Sequence, residues 1–131
     1  MAALLALAAG CQRDQARTRA PGETTTRWHA LGEWSGRGNR QTESFEVTTG
    51  AMRLTWESRV GESAPTGGSL RVSLHSAISG RSLQTIVDVH GAGGSTVDLE
   101  DDPRTSYLVI ESEDLEWRVK LEEAIVAVAG R

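Results

Sequence analysis

Cysteine is almost absent from this sequence, since Cys11 is the only one in 131 residues. A single cysteine excludes a disulfide within the chain and a zinc site built from several thiolates. Positive charge is not in excess either: the formal net charge is −4, and Lys120 is the only lysine. A nucleic-acid surface needs clustered cations to displace counterions, so we expect no nucleic-acid partner.

Long hydrophobic runs are also lacking. The run Ala2 to Ala9 is far shorter than the roughly 20 residues that a helix needs to cross a bilayer. It has the length and character of the apolar region of a signal peptide. The small residues Ala8, Ala9 and Gly10 end this run directly before Cys11.

The segment Ala8-Ala9-Gly10-Cys11 resembles the lipobox of bacterial lipoproteins, where a signal peptidase cuts before a cysteine that carries diacylglycerol. The resemblance implies a signal peptide at residues 1–10, lipidation of Cys11 and a membrane partner through the lipid anchor. It places the chain in the cell envelope, at the cell surface or at the outer membrane facing the periplasm, the latter favoured by Gln12. The alternative interpretation is a buried helix start with an incidental cysteine.

Residues 12–27 contain no large aliphatic or aromatic side chain. Such a segment buries too little apolar surface to offset the entropy lost on ordering. We therefore predict that residues 11–27 are a lipidated cysteine with a flexible linker. The composition changes abruptly at Trp28, so residues 28–131 are predicted to form one domain.

From Trp28 onward, apolar and polar residues alternate with the period of two that is typical of β-strands. Glycine, proline and aspartate separate the runs, as at Gly50, Gly80 and Asp102-Pro103. Runs are predicted at 44–48, 52–57, 70–75, 83–90, 95–99, 105–110 and 115–122. Glycines interrupt residues 28–47, which predicts a bulged edge strand there.

Seven or eight short strands in about 100 residues predict an all-β fold, an antiparallel β-sandwich of jelly-roll or immunoglobulin-like type. The order of these runs resembles small uncharacterised bacterial lipoprotein domains of β-sandwich type. That resemblance implies a fold and a location but no activity.

The four tryptophans fall into two pairs. Trp56 and Trp117 are in register with aliphatic residues and are predicted to lie in the core. Trp28 and Trp34 flank the glycine-rich segment and are candidate ligand-binding residues, whose rings could stack on sugars. The alternative for this second pair is packing at the edge of the domain.

Other candidate sites have plain structural interpretations. His75 and His90 would lie on neighbouring strands if residues 70–77 pair with 83–90, and a histidine with Asp88 could then form an acid-base pair. No nucleophile is identified beside them, so surface or half-buried histidines are the favoured interpretation. The segment 91–95 is predicted to be a hairpin loop rather than a phosphate loop. The acidic residues that could ligate calcium lack a dedicated spacing and are predicted to form a solvated turn: Asp98, Glu100, Asp101 and Asp102. We expect no metal site and no cofactor.

These observations favour a non-enzymatic, lipid-anchored binding module of the cell envelope whose ligand the sequence does not identify, with an envelope protein or a glycan as the possible partners. A glycan-binding β-sandwich is one alternative. A second is a structural accessory subunit whose edge strand accepts a partner strand. A third is a hydrolase whose catalytic residues the sequence does not reveal.

Overall fold

The computed structural model describes residues 24–61 and 67–128. The predicted signal peptide at 1–10, the lipidation site Cys11 and linker residues 12–23 lie outside the described residues. Residues Trp28–Ile125 form a compact unit. The described strand ends at 24–27 and 126–128 do not belong to this unit. Within the described ranges, no helix is long and apolar enough to span a membrane.

Nine β-strands make up most of the described part of the chain, and that part contains no helix. The strands are β1 (Thr24–Arg37), β2 (Arg40–Gln41), β3 (Phe45–Val47), β4 (Ala51–Val60), β5 (Ser69–Ser76), β6 (Ser82–His90), β7 (Gly93–Glu100), β8 (Arg104–Glu113) and β9 (Leu115–Val128). Each run predicted from the alternation of apolar and polar residues overlaps one of β3 to β9, because a half-buried strand requires that alternation.

The strands form two sheets. Sheet A has the order β1-β9-β4-β7, and sheet B has the order β2-β8-β5-β6, with β3 also paired to β8. Because β2 and β3 pair with successive parts of β8, they act as one interrupted strand. With that pair counted once, two four-stranded sheets follow the order of a jelly roll. The predicted antiparallel β-sandwich is confirmed, and this topology is the jelly-roll form of the two that were predicted.

The core lies between the inward faces of the two sheets. Leu54 and Leu121 of sheet A and Leu74 and Leu108 of sheet B are fully buried. Complete burial of one such side chain stabilises the fold by about 1.5–3 kcal/mol. Two of the tryptophans lie in this core as predicted, with small exposed fractions: Trp56 7% and Trp117 3%.

Strand β1 differs from the sequence prediction at its start. It begins at Thr24, so residues 24–27, which were predicted as the end of a flexible linker, are strand. Three successive threonines begin the strand, and β-branched residues favour extended backbone. Strand β1 therefore starts four residues before the predicted domain start at Trp28.

Strand β1 is also irregular. The glycines that interrupt it predicted a bulged edge strand. Leu31 and Trp34 both pack against the core although they are three residues apart. A regular strand would point them to opposite faces, so the alternation shifts between them. Gly32 lies at this shift, and a Cβ atom there would come within 2.2 Å of the Trp34 ring. The shift decides which tryptophans of β1 face outward.

Candidate functional site

The outward face of sheet A carries charged side chains that pair across neighbouring strands. Strands β4 and β9 are antiparallel neighbours, and each alternates core residues with charged ones. The register sets opposite charges directly across from each other at three positions: Arg53 and Glu122, Glu57 and Arg118, Arg59 and Glu116. We call this surface the ladder face, and its members are Trp28, Arg37, Arg53, Thr55, Glu57, Arg59, Glu116, Arg118, Lys120 and Glu122.

Trp28 lies at one end of the ladder face with 38% of its surface exposed. The guanidinium carbon of Arg53 is 4.0 Å from the centroid of the Trp28 ring, which is a cation–π contact. Arg53 Nε in turn donates a 2.9 Å hydrogen bond to Glu122 Oε1. The tryptophan ring therefore rests on an arginine whose position is fixed by a carboxylate.

Glu122 is largely buried, with 11% of its side chain exposed, and two cations lie beside its carboxylate. Lys120 Nζ lies 3.6 Å from Oε2, on the side away from the Arg53 bond. The hydrogen bond from Arg53 and the charges of Arg53 and Lys120 outweigh burial and hold the pKa of Glu122 below its ordinary value of 4.5. Glu122 is therefore ionised at neutral pH.

A groove of about 550 Å³ lies at the other end of the ladder face. Glu116 joins two arginines there: its Oε2 accepts from Arg37 Nη2 at 3.2 Å, and its Oε1 accepts from Arg59 Nε at 2.9 Å. Arg118 also lines the groove, with Nη1 3.7 Å from Glu57 Oε1. Three guanidinium groups and two carboxylates therefore surround the groove.

Trp34, the second candidate ligand-binding residue, is only 4% exposed. Its ring packs 6.0 Å from the Phe45 ring at an angle of 40°, and its Nε1 donates to Glu43 Oε2 at 3.1 Å. No face of the Trp34 ring is left for a sugar to stack on. The contacts of Trp34 therefore agree with the alternative interpretation, in which its ring packs within the domain. Of the two candidates, only Trp28 presents an exposed ring, because the shift at Gly32 turns Trp34 inward.

The candidate acid-base pair of His75 with Asp88 does not form. Strands β5 and β6 do pair, but His75 lies opposite Ser82 and Asp88 lies opposite Arg71. Four strand positions separate His75 from Asp88, a distance of roughly 13 Å. Asp88 instead accepts from Arg71 Nη2 at 3.2 Å. His75 and Asp88 therefore form no acid-base pair, because the register places them at different levels of the hairpin, and His75 is half-buried as the favoured interpretation expected.

Sequence reasoning missed a different contact of His75. Its Nε2 lies 3.2 Å from Ser73 Oγ, and its Nδ1 lies 3.2 Å from the Gly80 carbonyl oxygen. Nδ1–H donation to that carbonyl makes Nε2 the acceptor for the serine hydroxyl, which is the order found in nucleophile–base pairs. Ser73 is only 6% exposed and does not line the groove on the ladder face, so the contact holds two side chains of β5 together on the outer face of sheet B. The sequence signal for this contact was the spacing of Ser73 and His75, which are two residues apart and therefore lie on the same face of one strand.

Two residues of the acidic stretch form ion pairs with Arg104. Arg104 Nε lies 3.2 Å from Asp101 Oδ2, and its Nη2 lies 3.3 Å from Asp102 Oδ2. Among the described residues, no group of three histidine, cysteine or acidic side chains could hold a metal ion.

The glycine-rich segment 91–95 is not the hairpin loop that was predicted. Residues 91–92 join β6 of sheet B to β7 of sheet A, so the two strands do not pair with each other.

A second groove, of about 480 Å³, opens beside β1 and β3. Leu31, Phe45 and Ile125 give it apolar walls, and the buried Glu123 contributes to its lining. The Glu123 carboxylate is held by backbone amides of the β3–β4 turn. This groove is therefore mainly apolar, in contrast to the groove on the ladder face.

Comparisons with known proteins identify no family. No protein-family model matches the sequence, and no curated protein matches it. A solved structure described as "Bacillus endospore appendages form a novel family of disulfide-linked pili" is similar at 12% identity and a TM-score of 0.45, over 79% of this chain and 92% of that one. The CBM22-1 xylan-binding domain of Paenibacillus barcinonensis Xyn10C is similar at 11% identity and 0.41, over 86% and 99%.

A third similar structure comes from the Gx strain of infectious bursal disease virus, at 12% identity and a TM-score of 0.42. It covers 85% of this chain and 33% of that one. Identities this low bear on the fold alone, and the TM-scores are below 0.5. The strand order and the ladder face themselves define the class: a jelly-roll β-sandwich domain with a charged sheet face and one exposed tryptophan on it.

Proposed function

We propose that this protein is a lipid-anchored, non-enzymatic binding module of the cell envelope and that its ladder face binds a glycan. The observation that carries the proposal is the exposed Trp28 ring, fixed by Arg53 and surrounded by charged side chains. An exposed aromatic ring offers an apolar surface of the size of a sugar ring, and it needs no large conformational change to bind.

The contacts of Trp28 support this role in three ways. Arg53 covers one face of the ring, so a sugar would stack on the opposite face. The ion pair between Arg53 and Glu122 restricts the platform before binding, which lowers the entropy cost of association. The outward charged side chains of β4 and β9 supply donors and acceptors for sugar hydroxyls beside the ring.

The anchor in this proposal is Cys11, the cysteine of the lipobox-like segment. Several fatty chains on one cysteine bind a bilayer stably, because each buried methylene contributes about 0.8 kcal/mol. Intact-mass measurement of the membrane-extracted protein tests the anchor. The expected mass is that of a chain starting at Cys11 with diacylglycerol attached. A mature chain starting at Met1 with an unmodified Cys11 would contradict the anchor.

Glycan binding is tested with the full chain made without lipid by the substitution Cys11→Ser. We expect intrinsic tryptophan fluorescence to change on titration with at least one member of a polysaccharide panel. The Trp28→Ala variant should lose most of that affinity. The control is Ile78→Ala, which removes an 88% exposed apolar side chain from the β5–β6 turn and should bind normally.

Two outcomes would overturn the proposal. The first is that the Cys11→Ser chain binds no polysaccharide in the panel. The second is that the Trp28→Ala variant binds as tightly as the Cys11→Ser chain. Recovery of a stable protein partner in place of glycan, by affinity capture followed by mass spectrometry, would instead support the accessory-subunit alternative.

A further inference from the structure

The arginine-lined groove of the ladder face has cationic donors that its carboxylates do not use. Arg59 binds Glu116 Oε1 through Nε and Nη2, at 2.9 and 2.8 Å, which leaves its Nη1 group available. Arg37 reaches the same carboxylate through one Nη2 contact at 3.2 Å. A guanidinium carries five N–H donors, so most of the donors of Arg37 are available to a ligand.

Glu116 positions the two guanidinium groups as well as neutralising part of their charge. Each of its oxygens accepts from a different arginine, so Arg37 and Arg59 are held on either side of one carboxylate. Both arginine side chains are mostly exposed, at 75% and 81%. A half-buried carboxylate that holds two exposed arginines beside it gives a preorganised site for a second anion.

Arg118 adds a third cation with a weak partner. Its Nη1 lies 3.7 Å from Glu57 Oε1, beyond hydrogen-bond length, and its side chain is 64% exposed. The groove therefore holds three positive and two negative side chains, in a chain whose formal net charge is −4. This local excess of positive charge is complementary to an anionic group.

We infer that the groove formed by Arg37, Arg59 and Arg118 binds an anionic substituent, a carboxylate or a phosphate, of the glycan that stacks on Trp28. This inference rests on the proposed function and names the class of glycan: an acidic polysaccharide. Planar, bidentate donors match both oxyanions, and arginine is the residue best suited to that geometry.

The distance between the two ends of the ladder face sets the size of the ligand. Arg53, beneath Trp28, and Arg59, in the groove, are six residues apart on β4, which is about 20 Å. A ligand that engages both ends is therefore an oligosaccharide of several rings. A single sugar or a free anion would engage one end only.

The test compares charged and neutral forms of the same polymer by isothermal titration calorimetry on the Cys11→Ser full chain. Polygalacturonate and its methyl ester share one backbone and differ in the carboxylate. Phosphomannan and unphosphorylated mannan are the corresponding pair for phosphate. We expect at least one charged polymer to bind about tenfold more tightly than its neutral form, which is about 1.4 kcal/mol. The pair that shows the difference identifies the anion.

The substitution Arg118→Gln should remove most of that difference, because it deletes the arginine with the weakest internal partner. The matched control is Arg71→Gln, which removes an exposed, ion-paired arginine from β5 on the other sheet and should bind like the parent chain. Thermal melting verifies that both variants are folded. The charge-dependent part of binding should also weaken as salt is raised.

The results separate this inference from the proposed function. Equal affinity for charged and neutral polymers, with loss of binding in Trp28→Ala, would overturn the acidic-ligand inference and leave glycan binding intact. No binding to any polymer, with inorganic phosphate still shifting the NMR resonances of Arg59 and Arg118, would overturn the proposed function and support the anion site. A charge preference that Arg118→Gln leaves unchanged would overturn the assignment to this groove.

Discussion

Glu123 of β9 binds the backbone of Thr49, in the turn after β3: its Oε2 accepts the Thr49 N–H at 2.8 Å. The same oxygen accepts the Thr48 N–H at 2.9 Å and the Thr49 hydroxyl at 3.2 Å. Glu123 as a whole is 1% exposed. A side chain of sheet A thus satisfies two amides in the turn that leads from sheet B to sheet A, where no strand partner serves them.

We predict that Glu123→Ala destabilises the domain by about 2–4 kcal/mol, since it leaves two amides without their acceptor and a void in place of the side chain. Glu123→Gln keeps a carbonyl acceptor and should cost less, because only the charge assistance is lost. Urea unfolding followed by circular dichroism gives both values. The exposed Glu113→Ala on β8 is the control and should change stability by less than about 0.5 kcal/mol. Equal losses for Glu123→Ala and Glu113→Ala would refute the role of Glu123.

The position of Glu123 illustrates how far sequence reasoning reaches in this protein. The alternation from Leu115 to Leu121 correctly predicts β9 and its inward face, because burial on one side of a sheet imposes a period of two. That same period turns Glu123 inward, where a charge is unexpected. Its acceptor role depends on the β3–β4 turn lying beside it, and such a long-range contact leaves no local pattern.

The two tryptophans of β1 show the same limit at the candidate site. Trp28 and Trp34 are six residues apart, so a regular strand would place them on one face. The shift at Gly32 separates them, and only Trp28 reaches the ladder face. The glycines of β1 predicted an irregular strand, but the direction of each ring depends on the exact position of that irregularity.

The ion pair of Glu122 predicts a pH dependence of stability. Because the folded protein holds the Glu122 pKa below 4.5, its contribution to the unfolding free energy is complete above that pH. The contribution is lost as the pH falls below 4.5 and passes through the lowered pKa of the folded state. Glu122→Gln should therefore be less stable than the parent chain by a constant amount near neutral pH, and this gap should shrink in acid.

Urea titrations at a series of pH values between about 3 and 7 measure that gap directly. Glu116→Gln, which removes a more exposed carboxylate from the same strand, is the comparison variant. A gap between Glu122→Gln and the parent chain that stays constant down to the lowest pH would show that the Arg53 pair does not stabilise the ionised form.

Ser106 of β8 is a candidate for stabilisation. It is fully buried, and its hydroxyl has no hydrogen-bond partner among the described residues. A buried hydroxyl without a partner costs free energy, so Ser106→Ala should raise the unfolding free energy by about 1 kcal/mol. Ser76 of β5 lies opposite Ser106 and is the comparison residue. Its hydroxyl does have partners, because its Oγ accepts the N–H groups of Ile78 and Ser79 at 3.3 and 3.4 Å. Ser76→Ala should lower stability, and a lower melting temperature for Ser106→Ala would contradict the prediction.

Trp28 and Trp34 should separate binding from folding. Trp34→Ala empties a core position beside Phe45 and leaves Glu43 without its indole donor, which should cost about 3–5 kcal/mol. Trp28→Ala removes an exposed ring and its contact with Arg53, which should cost only about 1 kcal/mol. Chemical denaturation measures both losses, and glycan titration measures binding at a temperature where each variant is folded. Because Trp34 has no exposed ring face, Trp34→Phe should retain binding, whereas Trp28→Phe should weaken it by reducing the stacking surface. Loss of binding in Trp34→Phe, with Trp28→Phe unaffected, would transfer the binding role from the ladder face to the side of β1 that faces the core.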